Sequence, residues 1–448
     1  MNAYIQKVLN QVEKRDANEP EFLQTVEEVM KSLEVVVDKH PEYEKMALLE
    51  RMVEPERIVE FRVTWADDNG QAHVNRGFRV QFNSAIGPYK GGLRFATHVN
   101  LSVMKFLAFE QTFKNSLTSL PIGGGKGGSD FDPNGRSDAE IMRFCQAYMT
   151  ELQRHIGASI DVPAGDIGVG GREIGYMFGQ FKRIRGAYEN GVITGKGLSY
   201  GGSLIRPEAT GFGAIYYLVE VLKHENDDIA GKTVALSGFG NVAWGAATKL
   251  AELGAKAVTL SGPDGYIYDP DGVITKEKLD YLLVMRNSGR NVVKDYADKF
   301  GVEFFPKEKP WGRKVDVIMP CAMQNEIHMT EAQWIVDNGI KYYMEVSNMP
   351  TTNDALAYLM QSGVIVGPSK AVNAGGVATS ALEMSQNAGR LSWSEEEVDE
   401  KLKTIMINIH KASAEAASEY GLGYDLVSGA NIAGFKKVAE AMIAQGLV

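Results

Sequence analysis

The stretch Val234-Ala235-Leu236-Ser237-Gly238-Phe239-Gly240-Asn241-Val242-Ala243 joins a short apolar run to a glycine-marked turn, and a helical pattern continues from Trp244 to Leu253. This is G-x-G-x-x-A in the order strand, turn, helix. Gly238 permits the tight turn. Gly240 lets the backbone approach a pyrophosphate at the helix N-terminus, and Ala243 keeps helix and strand close. Phe239, Asn241 and Val242 belong to the same turn. The segment reads as the phosphate-binding unit of a dinucleotide fold. The next strand ends Leu260-Ser261-Gly262-Pro263-Asp264, where an acidic residue normally meets the ribose 2′-hydroxyl. No Lys or Arg stands immediately beside Asp264, and its charge repels a 2′-phosphate, so NAD is favoured and NADP is the alternative. As local structure, Gly262-Pro263-Asp264-Gly265 is also simply a turn.

Around this unit, short apolar strands alternate with helices: Thr233 to Ser237, Ala257 to Leu260, Val315 to Met319, Tyr342 to Val346 and Val364 to Val366. Such alternation predicts a parallel sheet with crossover helices. The glycine- and serine-rich segment Gly191 to Pro207 reads as a connection between domains. Before it, Phe22, Val26, Val29, Leu33 and Val37 recur at spacings of three and four, which predicts a helix with Asn18 and Glu21 as its capping pair and Pro20 in its first turn. Val59, Phe61, Val63 and Trp65 alternate with polar residues, as do Phe78, Val80 and Phe82. Asp67-Asp68-Asn69-Gly70 between the two runs predicts a hairpin. Helices are expected over Leu101 to Leu117 and Ala139 to His155.

Three lysines stand in unusual settings. Lys126 lies in Pro121-Ile122-Gly123-Gly124-Gly125-Lys126-Gly127-Gly128, which reads as a loop where glycine leaves the amine without local cover. Lys90 precedes two glycines in Gly87-Pro88-Tyr89-Lys90-Gly91-Gly92. Lys114 follows Val103 and Leu107 along a helical line that should be packed. Taken singly, these are a loop lysine, a turn lysine and an i,i+4 partner of Glu110. Together they suggest a cationic cluster for a substrate with more than one carboxylate. Crowding and desolvation lower a lysine's pKa and suit it to act as a base near neutrality. Asp166 follows the rigid turn Pro163-Ala164-Gly165; it is either a turn or cap residue or a proton shuttle beside such a lysine.

The chain has 448 residues, more than a single core sustains, so two domains are expected. Apolar residues make up 44% and charged residues 23%, an ordinary globular composition. A formal net charge of −10 argues against nucleic acid or an anionic membrane as partner. No apolar run reaches membrane-spanning length. Met1 to Arg15 lacks the apolar segment of a signal peptide, so a cytoplasmic location is expected. Cys145 and Cys321 read as reduced, packed thiols. The histidines show no metal-ligand spacing, and no metal is expected.

These blocks resemble the hexameric glutamate dehydrogenases of the amino-acid dehydrogenase superfamily. The likeness runs from Leu48-Leu49-Glu50-Arg51 through Lys90-Gly91-Gly92-Leu93-Arg94-Phe95, Phe109-Glu110-Gln111, Pro121 to Asp132, Asp161 to Gly171, Arg206 to Gly211, Asn373-Ala374-Gly375-Gly376 and Gly429 to Phe435. It covers essentially the whole chain and is nearest the NAD-linked clostridial type. The resemblance implies an α/β fold of two domains separated by a cleft. Residues 1–200, joined by a C-terminal helix 425–448, would carry substrate and subunit contacts, and 201–424 would form a Rossmann-like NAD domain.

The resemblance also implies roles. Lys114 would bind the substrate α-carboxylate, and Lys90 with Ser380 the γ-carboxylate. Lys126 would activate water at the imino carbon, and Asp166 would move protons to and from the amino nitrogen. Gly92, Gln111 and Ala164 would line the substrate site. Arg206, Thr210, Asn241, Asn348 and Asn373 would meet the cofactor. Met323 and Ser347 depart from the more usual Thr and Ala near the expected cofactor site. The implied activity is reversible, NAD-linked deamination of glutamate to 2-oxoglutarate and ammonium by a homohexamer. The alternatives are an NADP-linked enzyme, a dehydrogenase of apolar amino acids, or a non-catalytic dinucleotide sensor.

Overall fold

The computed structural model describes all 448 residues and divides into two compact units. One comprises Met1–Leu204, Val377–Val398 and Asn431–Val448; the other comprises Ile205–Gly376 and Asp399–Ala430. The expected bounds at 200, 424 and 425 differ from these units at residues 425–430, which go with the second, and at 201–204 and 377–398, which go with the first. At 377–398 the cause is side-chain chemistry that local pattern does not reveal: Glu383, Gln386 and Asn387 of that segment bond to Lys196, Ser203 and Gly201.

The first unit is built on a five-stranded sheet: β1 (Arg57–Ala66), β2 (Ala72–Asn83), β3 (Tyr89–Phe95), β4 (Gly124–Ser129) and β5 (Asp161–Gly165), in the order β1-β2-β4-β3-β5. β1 and β2 form the expected hairpin, with Asp67 Oδ1 accepting the amides of Asn69 and Gln71 in its turn. β3 pairs parallel with both β4 and β5. The helices Leu101–Leu117 and Asp138–Leu152 connect these parallel strands in sequence. The helix predicted near residue 20 spans Pro20–Ser32, but Glu19 precedes it without a side-chain cap, and the Glu21 carboxylate instead accepts the Ser102 hydroxyl. The expected capping pair is out of register, because the N-cap falls at Glu19 and not at Asn18.

The glycine-rich run around Lys126 is not a loop. It is β4, a buried interior strand between β2 and β3. Its glycines are needed for close approach: a Cβ on Gly124 would lie 2.0 Å from Thr112 Oγ1, and one on Gly91 would lie 1.7 Å from the Gly125 carbonyl oxygen. An isolated glycine run suggests a loop, whereas here neighbouring backbone occupies the space side chains would take. On one side of the sheet Trp65, Leu93, Phe95, Phe131, Phe144 and Tyr148 form a core with residues of the helices Asp138–Leu152 and Gly171–Arg185. Arg79 and Asp161, both fully buried, tie β2 to β5 across the two strands between them.

The second unit carries a seven-stranded sheet: β6 (Thr233–Leu236), β7 (Lys256–Gly262), β8 (Gly265–Tyr268), β9 (Glu303–Pro306), β10 (Val317–Met319), β11 (Tyr342–Met344) and β12 (Ile365–Gly367). The order is β12-β11-β10-β6-β7-β8-β9. β12 through β7 are mutually parallel, as the alternation predicts. β8 and β9 add an antiparallel edge that the alternation does not predict. Gly265-Tyr266-Ile267-Tyr268 is too short and too uniformly apolar or aromatic to show strand alternation. Its pairing follows from the two-residue turn Pro263-Asp264, which brings Gly265 opposite Gly262.

Candidate active site

Strand pairing assembles the polar groups of the first unit. Lys90, Gly92 and Arg94 alternate along β3, so they share one face. In register, Lys90 stands opposite Val162 and Gly92 opposite Ala164 on β5, while Lys126 lies on β4 at the other side of β3. A Cβ on Gly92 would come within 2.9 Å of Asp166 Cβ. Glycine is therefore required there for Asp166 to reach its place.

Lys126 Nζ lies 3.1 Å from Asp166 Oδ2, and Arg94 Nε donates to the same oxygen at 2.8 Å. Burial pushes Lys126 below the ordinary lysine range. Asp166 opposes that shift, while Arg94 and Arg79 reinforce it. For Asp166, burial acts to raise the carboxyl, but Lys126 and Arg94 outweigh it and hold the pKa below the usual carboxylate value. The site thus pairs a lysine biased toward the neutral amine with an aspartate biased toward the anion. The carboxylate is spent on this pair, not on a turn or cap.

Lys90 is 1% exposed and lies within a strand, so it is not a turn lysine. Its Nζ donates to the Val162 carbonyl at 2.9 Å and to Thr194 Oγ1 at 2.8 Å. Lys114 and Gln111 are half-buried on the helix Leu101–Leu117. Gln111 Nε2 bonds Asn115 Oδ1 at 2.6 Å, and buried Asn115 in turn donates to the Lys90 and Gly123 carbonyls. Ala164 and Ser380 are buried, the latter on the helix Gly375–Gly389. Sequence reasoning missed Arg94, Thr194 and Asn115 as members of this assembly. Arg94 had a signal, the i, i+2, i+4 alternation from Lys90 through Gly92. Thr194 had none, since it reaches Lys90 only through the fold.

In the second unit, Gly238 has φ +78° and donates its amide to Ser261 Oγ, and Gly240 caps the helix Asn241–Glu252. A Cβ on Gly240 would meet nothing within 4 Å, which leaves room for a ligand at the helix N-terminus. Asn241 accepts from Arg286, and Val242 is half-buried in the first helical turn. The Phe239 ring packs toward Gly262 beside exposed Pro263.

Asp264 is placed differently from the simple ribose reading. Its Oδ1 accepts the Val293 amide at 2.9 Å and its Oδ2 the Lys294 amide at 3.0 Å, at the start of the helix Lys294–Phe300. Asn373 is buried. Its Nδ2 bonds Asn348 Oδ1 at 2.9 Å, and its Oδ1 has no partner. A Cβ on Gly376 would lie 2.7 Å from Thr210 Oγ1 and 3.9 Å from Arg206 Nη1, so these groups converge. An orphaned acceptor, an open glycine turn and a helix N-terminus fit a pyrophosphate with an amide-bearing ring. Ser347 donates to the Met323 carbonyl, joining the two positions that depart from the more usual Ala and Thr. Buried Glu326, also unforeseen, accepts the Ser237 hydroxyl and the Met323 amide and shapes that loop.

A dinucleotide-type parallel sheet, in one chain with a second sheet that buries a lysine–aspartate pair, is the construction of an amino-acid dehydrogenase. Residues 201–446 match the model of the Glutamate/Leucine/Phenylalanine/Valine dehydrogenase family, and 55–183 match its dimerisation domain. The chain belongs to this family. It is 69% identical over 448 residues to the NAD-specific glutamate dehydrogenase of Clostridium symbiosum, with 100% of both chains covered. It is 54% identical over 444 residues to the NADP-specific glutamate dehydrogenase of Escherichia coli (strain K12), with 99% of each covered. A solved glutamate dehydrogenase structure superposes with TM-score 0.98 at 69% identity over the whole of both chains. A glutamate dehydrogenase from Plasmodium falciparum superposes with TM-score 0.96 at 51% identity, covering 99% of this chain and 95% of that one.

Proposed function

We propose that the chain is an NAD-linked glutamate dehydrogenase that reversibly converts L-glutamate to 2-oxoglutarate and ammonium. The observation that carries this reading is the buried Lys126–Asp166–Arg94 constellation on the same sheet as buried Lys90. Lys114 pairs with the substrate α-carboxylate. Lys90, helped by Ser380, pairs with the γ-carboxylate, which selects a dicarboxylic substrate. Gly92, Gln111 and Ala164 line the space between. Bound NAD supplies the hydride acceptor for the substrate Cα–H. The neutral amine of Lys126 takes a proton from water as its oxygen bonds to the imino carbon. Asp166 carries protons to and from the departing nitrogen, and Arg94 keeps that carboxylate ionised and oriented.

Gly238, Phe239, Gly240, Asn241 and Val242 would hold the pyrophosphate end of NAD. Arg206, Thr210, Asn348 and Asn373 would meet its nicotinamide half and Pro263 its adenosine ribose, while Asp264, whose oxygens accept the Val293 and Lys294 amides, would act on that ribose through its charge. The test is the appearance of reduced cofactor with glutamate plus NAD, against glutamate plus NADP. Efficient turnover with NAD and a much lower kcat/KM with NADP supports the reading. Equal or better use of NADP defeats the cofactor choice, and no turnover with either defeats the activity.

The chain works as a homohexamer in the cytoplasm. In support, residues 55–183 match a domain described as a dimerisation domain, and no helix is long and apolar enough to cross a membrane. Light scattering of the 49.1 kDa chain distinguishes six subunits from two.

A further inference from the structure

The proposed mechanism gives no task to the buried ion pair of Lys196 and Glu383. Lys196 and Glu383 have fully buried side chains, with Nζ 2.8 Å from Oε1. Lys196 Nζ also donates to the Ile193 carbonyl at 2.5 Å and to Asn387 Oδ1 at 2.9 Å. The other Glu383 oxygen accepts the Gly195 amide at 2.9 Å. The pair therefore closes around the backbone from Ile193 to Lys196, and Thr194 lies inside that span. Thr194 is itself fixed by its amide, which donates to the Pro163 carbonyl at 3.0 Å, and its Oγ1 accepts from Lys90 Nζ.

On the helix Gly375–Gly389, Ser380, Glu383 and Asn387 follow one another at spacings of three and four. They lie along one face of the helix. The face that carries Ser380 is thus the face that Glu383 and Asn387 attach to the 193–201 segment. A buried pair of charges adds little net stability, because desolvation offsets attraction. Its several directed bonds do fix geometry, as polar groups around a binding site must.

We propose that Lys196 and Glu383 are positioning residues for the pocket that receives the substrate side-chain carboxylate. They hold Thr194, and through it the Lys90 ammonium, in register with Ser380. The inference rests on the assignment of Lys90 to the γ-carboxylate. Neither residue touches the substrate. Each acts by keeping the two polar walls of the pocket at the spacing a carboxylate needs.

The test compares kcat and KM for glutamate and for norvaline, which has a similar chain but no side-chain charge, in Glu383→Gln, Lys196→Met and the double variant. Glutamate kcat/KM should fall about 10- to 100-fold, mainly through KM, since small displacements of a binding group have effects of that size. Norvaline should change within about 3-fold, because its binding never used the pocket charge. The double variant leaves no unpaired buried charge, so it should fold where a single variant does not, and its glutamate-to-norvaline ratio should also be compressed. A folded variant that retains the wild-type ratio, or loses both substrates equally, overturns the proposal. So does failure of all three to fold, since the pair would then be a folding element. A wild-type enzyme with no preference for glutamate over norvaline would instead refute the underlying reading of Lys90.

Discussion

Replacing Arg94 with Met should move the acid limb of the kcat/KM profile for glutamate oxidation to higher pH. Arg94 Nε and Lys126 Nζ approach the same oxygen of Asp166, at 2.8 and 3.1 Å. The two cations are therefore within about 6 Å of each other, where an effective dielectric of about 20 gives a repulsion of about 3 kcal/mol that disfavours the ammonium of Lys126. Removing Arg94 also leaves Asp166 to Lys126 alone, which stabilises the ammonium further. Both effects raise the lysine pKa toward its ordinary value, and water entering the vacated space moderates that rise.

On the proposed role of Lys126 as a neutral amine, kcat/KM at a fixed pH below the limb should fall by about tenfold for each pH unit the limb moves. The assay is initial-rate formation of reduced cofactor with subsaturating glutamate, from about pH 6 to 10, for both proteins. The amine of glutamate titrates identically in the two series, so the difference isolates the enzyme group. An unmoved limb, or one moved to lower pH, would refute the coupling of Arg94 to Lys126.

Lys126→Ala should lower kcat by about 10² to 10⁴ with the fold intact, the range for a lost general base, and near-native turnover would sink the assignment. Because the folded pKa of Lys126 lies below the unfolded one, the unfolded chain binds more protons between those values and stability rises with pH there. Chemical denaturation across that window should show a shallower rise in Lys126→Ala. Asp264→Lys should raise kcat/KM with NADP relative to NAD by removing a negative charge. Because it also removes the two acceptors of the Val293 and Lys294 amides, it should lower stability by about 1 kcal/mol, read from denaturant midpoints. A variant with unchanged cofactor preference would show that Asp264 only shapes this turn. Lys90→Leu should depress glutamate kcat/KM far more than norvaline kcat/KM, because a charge-assisted hydrogen bond is worth about 1.5 to 3 kcal/mol. An unchanged ratio would move the γ-carboxylate site elsewhere.

The sequence by itself determined what depends on neighbours along the chain. The strand, turn and helix at Val234 to Leu253 were legible because apolar periodicity and glycine placement are local. So were the hairpin around Asp67 to Gly70 and the parallel strands β6, β7, β10, β11 and β12. The lysines were legible as anomalies, since glycine on both sides of a cation or a cation on an apolar line is visible in one dimension.

Tertiary structure alone decided where those anomalies go. The glycine run of Lys126 reads as a loop until the Gly124 and Gly91 contacts show that neighbouring backbone and side chains fill the missing Cβ positions, which makes it an interior strand. The placement of residues 377–398 with the N-terminal unit depends on Glu383 meeting Lys196 across 187 positions of chain. Arg94 becomes a partner of Asp166, and Thr194 of Lys90, only when parallel pairing brings β3 beside β5. Asp264 has the right residue type at the right place for a ribose, yet its oxygens are occupied by amides some 30 residues on. Burial and electrostatic coupling sum over everything nearby in space, and sequence order does not encode that sum.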